Sequence, residues 1–267
     1  VKVLDPAMGS GHFLVEVVDY VTDRTLRFLD RYRHNPVTAQ LNRVRQNILD
    51  NMDAQNVSID DGRLTDVNLL KRQVLKRCVY GVDLNRMAVE LAKVSLWLDA
   101  FTLGARLSCL DHHLRWGNSL IGTMARDADR ELRGEGGQLS LFSGPFVGLL
   151  RAAEVMRGVS ALADATIEEA HQSADLFGEF EQAARPYKQL LDIFVIQHFG
   201  VKQASEFLTL YGADAMDAER GEVAPEYRPV LDERARLYEQ YRFFHWDLEF
   251  PEVFIDLGRA EWKENAG

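Results

Sequence analysis

Cysteine is almost missing from this sequence: two residues in 267, with no Cys-x-x-Cys pair near a pair of histidines. That excludes a disulfide framework and a cysteine–histidine zinc site, and it points to a reducing, cytosolic setting. No metal ligands are expected. Long apolar runs are missing too. None approaches the roughly 20 residues needed to cross a bilayer, so no membrane partner is expected. The first residues, Val1-Lys2-Val3-Leu4-Asp5, read as a strand entering a turn rather than a signal peptide, and without an initial Met the chain reads as a fragment. Positive charge is the third shortage. With 31 basic against 41 acidic side chains and a net charge of -10, this piece is not expected to be the main grip on a phosphate backbone, because that affinity comes from Lys and Arg neutralising phosphates. Proline is sparse, with seven residues and no two adjacent.

What is present is ordinary globular usage, 46% hydrophobic and 27% charged, enough for one large domain or a domain with an insertion. The run 1–5 is β-rich and ends in an acid, and Pro6-Ala7-Met8-Gly9-Ser10-Gly11 follows directly. Val17, Val18, Val21, Phe28, Leu29 and Tyr32 then recur at helical spacing, with Ser10 as the expected cap. Asn35-Pro36 breaks this helix, and the polar stretch 38–76 reads as a weakly helical surface insertion. A second β-rich run, Cys78-Val79-Tyr80-Gly81-Val82-Asp83, again ends in an acid. Asn85 should cap the helix after it, whose apolar face is expected at Met87, Leu91, Val94, Leu98 and Phe101. Two such units in succession predict an α/β fold with a mainly parallel sheet. A third short strand is expected within 107–122, ahead of Gly117-Asn118. From 123 to 242 the pattern turns helical, with breaks at Gly134-Glu135-Gly136-Gly137 and Gly144-Pro145, and reads as a helical insertion. The expected division is thus 1–122 as a ligand-binding core (with the polar insertion at about 35–76), 123–242 as the insertion, and 243–267 as an aromatic-rich closing segment.

A strand that passes through Gly9-x-Gly11 into a helix builds a crevice at the carboxyl ends of parallel strands, where doubly wound sheets bind ligands. The dinucleotide fingerprint needs a third glycine where this chain has Leu14. The acid closing the second strand is Asp83. A carboxylate offers only acceptors, which suits it to the two hydroxyls of a ribose. A nucleoside-containing cofactor without a pyrophosphate is implied. A lone Gly-x-Gly is a weak signal, whereas Asp-Pro-Ala-x-Gly-Ser-Gly-x-Phe with a matching second acid is specific.

Asp5-Pro6-Ala7-Met8-Gly9-Ser10-Gly11-His12-Phe13-Leu14 resembles motif I of amino-directed DNA methyltransferases, Gly81-Val82-Asp83-Leu84-Asn85 their motif II, and Gly117-Asn118-Ser119-Leu120-Ile121-Gly122 their motif III. The adenine-specific (N6) Type IIG restriction-modification and phage-defence group also resembles the chain at His245-Trp246-x-Leu248-Glu249-Phe250-Pro251-Glu252-Val253-Phe254. The resemblance implies a Rossmann-like fold that uses S-adenosyl-L-methionine (AdoMet), acts on duplex DNA through the parent protein, and works in a prokaryotic cytoplasm. It implies that Asp5, Pro6, Ala7, Gly9, Ser10, Gly11 and Phe13 surround the methionine and ribose of AdoMet, that Asp83 holds the ribose hydroxyls, and that Leu84 lies against the adenine. Asn118, where many relatives have Asp, would face the adenine amino group, with Leu120 near the ring. The catalytic Asn-Pro-Pro-Tyr of the family does not occur in these 267 residues, and the resemblance puts it just after Gly267. No catalytic residue is expected within the chain, and the fragment alone is expected to be inactive. Related enzymes that methylate a protein glutamine or an RNA base share the same turn, and a non-catalytic AdoMet-binding module would share it as well.

Other conspicuous residues have plainer readings. His112 and His113 read as surface or structural, and Cys78 as a buried small hydrophobe of the second strand. Trp246, Phe250 and Phe254 read as core packing. Asp256, Glu261 and Lys263 superficially resemble a nuclease set, but their spacing is read as too tight for acids on two strands.

Overall fold

The two runs that end in acids and a third that ends in Trp116 pair side by side. In the computed structural model, residues 1–32, 35–54, 56, 64–102, 110–132, 145–162, 166–216, 223–259 and 261–263 are described. β1 (Val3–Asp5), β2 (Val79–Asp83) and β3 (Leu114–Trp116) form a parallel sheet in that order. Asp5 lies opposite Gly81, and Asp83 opposite Trp116. The fold is α/β: mostly helical, with a small parallel sheet. The breaks at 134–137 and the glycine at 144 fall outside the described residues. The chain divides into two compact units, Val1–Trp116 with Gly158–Asp175, and Gly117–Arg157 with Leu176–Gly267.

In the first unit, α1 (His12–Leu29), α2 (Pro36–Ala54), α3 (Asp66–Cys78) and α4 (Arg86–Asp99) bury one core with the sheet. The stretch 38–76, expected on the surface, supplies much of it. Leu41, Val44, Ile48 and Met52 of α2 and Leu69, Leu70, Val74 and Leu75 of α3 are all buried. Those of α2 recur at three- and four-residue spacing and those of α3 in two adjacent pairs about a turn apart, beneath a polar composition, so one apolar stripe is enough to dock a helix whose other faces are charged. Thr65 starts α3, its side chain accepting from the Asn68 amide at 3.3 Å. Cys78 ends that helix, half-buried, instead of opening the strand.

The core face of α4 is not the one expected. Val89, Ala92 and Leu96 are buried, whereas Met87, Leu91, Val94, Leu98 and Phe101 are exposed. The reason lies at Gly11, where a Cβ would meet that of Ala92 at 3.0 Å. The turn approaches α4 so closely that only the small-residue side of the helix fits. Asn85 does cap α4, accepting from the Met87 amide at 3.0 Å. Ser10 does not cap α1. The N-cap is Gly11, and the Ser10 hydroxyl pairs with His12 Nδ1 at 2.9 Å. Phe28 and Tyr32, counted with the apolar face of α1, are exposed and pack on each other at 5.2 Å.

His112 and His113 are structural and buried rather than superficial. The Val79 carbonyl can only accept, so His113 Nδ1 carries a proton and donates to it at 2.5 Å. Its ring stacks on Tyr80 at 4.4 Å. Burial pulls the pKa of both histidines down, that of His113 to about 3, and both are therefore neutral.

In the second unit, the described residues of 123–242 are helical wherever they are regular: α5 (Ala125–Leu132), α8 (Lys202–Leu210), α9 (Arg228–Tyr241), and parts of α6 (Pro145–Ala161) and α7 (Ile167–Gln197). Two short helices, α10 (Trp246–Glu249) and α11 (Pro251–Phe254), and a hairpin of β4 (Ile255–Asp256) with β5 (Glu261–Trp262) follow. The turn 117–122 packs against 242–244, with the Asn118 amide donating to Arg242 O at 2.8 Å and the Phe244 amide to Ile121 O at 2.9 Å. Phe250 is buried against Phe244, while Trp246 and Phe254 are half-buried, in keeping with a packing role.

Asp256 and Glu261 do stand on two strands, opposite each other in an antiparallel pair, which corrects the spacing argument. A hairpin brings residues five apart into register. Asp256 is spent on its own turn, accepting from the Gly258 and Arg259 amides at 2.9 and 3.2 Å. Lys263 donates to the carbonyls of Glu252 and Val253 at 2.8 and 3.1 Å. These bonds tie the hairpin to itself and to α11.

Candidate functional site

The first unit brings the motif I and motif II residues together at the carboxyl ends of β1 and β2. The turn 6–11 is held at both ends by the strands it leaves. Met8 donates its amide to Val82 O at 3.0 Å, and Ala7 donates to Asp5 Oδ1 at 3.0 Å. Gly9 donates to Asp83 Oδ2 at 2.8 Å. The second oxygen of Asp83 accepts from the Asn85 amide at 2.7 Å. Asp83 thus ties the glycine turn to the second strand, a task the sequence did not reveal. Each carboxylate oxygen has two lone pairs, so acceptor capacity remains for a ligand.

The two turn glycines differ. Gly9 has φ +55° and nothing within 4 Å of where a Cβ would stand. Its missing side chain opens space. Gly11 has φ +83° and faces Ala92, so its missing side chain closes a packing contact. Behind the turn, a Cβ on Gly81 would collide with the side chains of Met8 and Leu14. The turn therefore lies directly on β2, with the Gly9 amide already aimed at the strand's final carboxylate.

Around this turn the apolar side chains Phe13 and Leu84 are 55% and 57% exposed. Trp116, absent from the expected set, belongs with them. Its register partner is Asp83, its Nε1 donates to Leu84 O at 2.9 Å, and the Arg86 guanidinium lies 5.5 Å from its ring centroid. The one signal available was its position at the end of a third strand, immediately before Gly117-Asn118. Pro6, Ala7 and Ser10 lie in the turn as expected. Asn118 and Leu120 belong to the second unit, where the Asn118 side chain accepts from the Leu120 amide at 3.1 Å and Leu120 is 91% exposed.

Among the described residues, no helix is long and apolar enough to cross a membrane. The chain is similar to a Methanocaldococcus jannaschii protein whose provisional name is a type II restriction enzyme and methyltransferase, with 27% identity over 131 residues. The match covers 46% of this chain and 9% of that protein, so the chain corresponds to a small part of its relative. No family profile and no solved structure matches the chain.

Proposed function

We propose that this chain is the AdoMet-binding part of a site-specific DNA methyltransferase with a Rossmann-like core. Its parent would transfer a methyl group to N6 of adenine in duplex DNA within a restriction-modification or phage-defence system. The observation that carries the reading is the junction of turn and second strand, where Gly9 is bonded to Asp83 with exposed Phe13 and Leu84 beside it. The motif resemblance and the relative named as a methyltransferase support it. Residues 1–122 form the cofactor-binding core, 123–242 an insertion, and 243–267 the lead into the segment that holds the target amine.

The residues present fit AdoMet. The open space at Gly9 admits a ligand close to the backbone, Asp83 retains lone pairs for ribose hydroxyls, and Leu84 and Trp116 offer flat apolar surface to an adenine. Asp5 through Gly11 and Phe13 would surround the remainder of the cofactor. AdoMet supplies an activated methyl group on a sulfonium. What the protein adds is alignment, because misplacement by about 1 Å can cost on the order of a hundredfold in rate. No Asn-Pro-Pro-Tyr occurs in the 267 residues, and the resemblance assigns to that set the holding of the flipped adenine's amine. Alone, these residues therefore bind cofactor without transferring its methyl group.

Calorimetric titration with AdoMet tests the site. Asp83→Ala should weaken binding by roughly 5- to 150-fold, the loss of about 1–3 kcal/mol for buried partners left unpaired. Asp83→Asn, which keeps one acceptor oxygen, should lose less. Identical affinity in all three proteins removes the ribose assignment. Labelled methyl transfer to adenine-containing duplex should be absent with this chain and present with a version extended past Gly267. Equal incorporation by both would show the catalytic set to lie within residues 1–267, and incorporation into RNA or protein instead would move the substrate class.

A further inference from the structure

α4 is apolar on two opposite sides, and only one is used. Val89, Ala92 and Leu96 face the core, while Met87, Leu91, Val94, Leu98 and Phe101 are 66%, 49%, 45%, 71% and 53% exposed. The exposed five repeat at spacings of four and three residues, the a/d pattern with which one helix packs along another. A helix apolar on both sides belongs inside a larger assembly.

We propose that a second copy of this chain covers the stripe, with the two α4 helices antiparallel about a twofold axis at Val94. The stripe is nearly its own complement under that operation. Val94 meets Val94 and Leu91 lies against Leu98, because in an antiparallel pair the numbers of facing residues have a constant sum, here 188 to within one residue, and Met87 points toward Phe101, which follows the end of α4. The area is sufficient. The five side chains leave on the order of 500 Å² open per copy, so pairing buries about 1,000 Å², the threshold of a specific interface, before any flanking contact is counted.

The charges permit it. Along the stripe's flanks stand Ala88, Ser95, Trp97 and two charged residues, Arg86, whose guanidinium lies 5.5 Å from the Trp116 ring centroid, and Glu90, which is already bonded to Lys93 at 3.0 Å. In the antiparallel arrangement the two copies of Glu90 are offset by about 12 Å along the axis at 1.5 Å per residue. That is beyond the screening length of roughly 8 Å at physiological salt. A parallel pair would bring them level, which favours the antiparallel choice.

Sedimentation velocity on the full 267-residue chain, across a concentration series, should show a reversible monomer–dimer equilibrium. Leu91→Glu or Leu98→Glu should raise the dimer dissociation constant on the order of a hundredfold, since each places two charges in the seam. Both positions are solvent-facing in the single chain, so far-UV circular dichroism should stay at wild-type values, and the melting temperature of each variant should match that of the wild type at concentrations where the wild type is monomeric. Register is tested separately with a short bis-maleimide. Val94→Cys should cross-link to itself, and Leu91→Cys should cross-link to Leu98→Cys in a mixture far more than to itself. A wild-type chain that stays monomeric throughout, or a dimer that persists in both glutamate variants, overturns the proposal.

Discussion

Residues 1–116 leave apolar groups in the open, whereas 117–267 put carboxylates away. Of the seventeen exposed large hydrophobic side chains among the described residues, fourteen lie in the first region, including Phe13, Leu84, Trp116 and the α4 stripe. The buried carboxylates among the described residues, Asp192, Asp247, Glu249 and Glu252, all lie in the second. Bulk charge divides likewise: the first region carries 16 basic and 14 acidic side chains, the second 15 and 27. A region that exposes apolar surface around a glycine turn is equipped to receive something. The other spends its polar groups on itself. Asp192 accepts from Arg234 and pairs with His245, both at 3.0 Å, and Lys188 sits 2.8 Å from Glu249. Much of the -10 net charge therefore says nothing about the candidate site.

The sharpest way to break this contrast is at two glycines. A Cβ at Gly122 would overlap the backbone carbonyl of Phe244, which cannot swing aside, whereas one at Gly81 meets side-chain atoms of Met8, Leu14 and Leu114. Gly122→Ala should cost about 4 kcal/mol or more, and Gly81→Ala about 1–3 kcal/mol. Urea unfolding measures both. The reverse ranking would mean that the first region is the more tightly keyed.

Acid and base should act in opposite senses on the two regions. For His113, the folded pKa lies near 3 against an ordinary 6.5, so the unfolded chain binds the proton more readily. Stability is intact above about pH 6.5 and falls as pH drops toward 3, by roughly 3 kcal/mol at pH 4.5. Asp247 is displaced the other way, from 3.8 to about 6, by burial that outweighs its hydrogen bonds from the Ala125 and Arg126 amides. Its neutral form is favoured in the fold, so its contribution is complete below about pH 3.8 and is lost as pH rises through 6. Asp247→Asn should therefore stabilise the chain by up to about 3 kcal/mol at pH 7 and by no more than about 0.5 kcal/mol at pH 4. Hydrogen exchange at the two pH values should show the first region opening in acid. Equal protection of β2 at pH 7 and pH 4.5 would contradict the role given to His113.

Legibility followed the same division. The glycine turn, both strand-ending acids and the Asn85 cap were readable because they depend on residues next to one another in sequence. The face of α4 was not. Two apolar sets satisfy one helical period, and the choice between them is made by Gly11, some eighty residues away. The hairpin at 255–262 misled for the opposite reason, since a spacing that looks too short for two strands is what a tight turn produces. The buried helices at 36–78 hid beneath a polar composition because a docked helix needs only one apolar stripe. Asp83's bond to Gly9 had no linear signal at all, because it joins residues 74 apart.

Trp116 yields the smallest effect and tests the boundary of the receptive region. Its Nε1 donates to Leu84 O across half-open surface, and the ring is 38% exposed. A hydrogen bond in such a place contributes about 0.5–1 kcal/mol, and Arg86 over the ring adds a comparable amount at an exposed site. Trp116→Phe keeps a ring for Arg86 and for a stacked base but removes the donor, so it should cost under about 1 kcal/mol in urea. Trp116→Ala removes the ring as well and should weaken AdoMet by about 3- to 10-fold more than Trp116→Phe, in line with aromatic contacts worth about 0.5–1.5 kcal/mol. If both variants bind AdoMet as tightly as the wild type, the tryptophan only fastens Leu84 to the end of β3. The apolar surface offered to the cofactor then ends at Leu84.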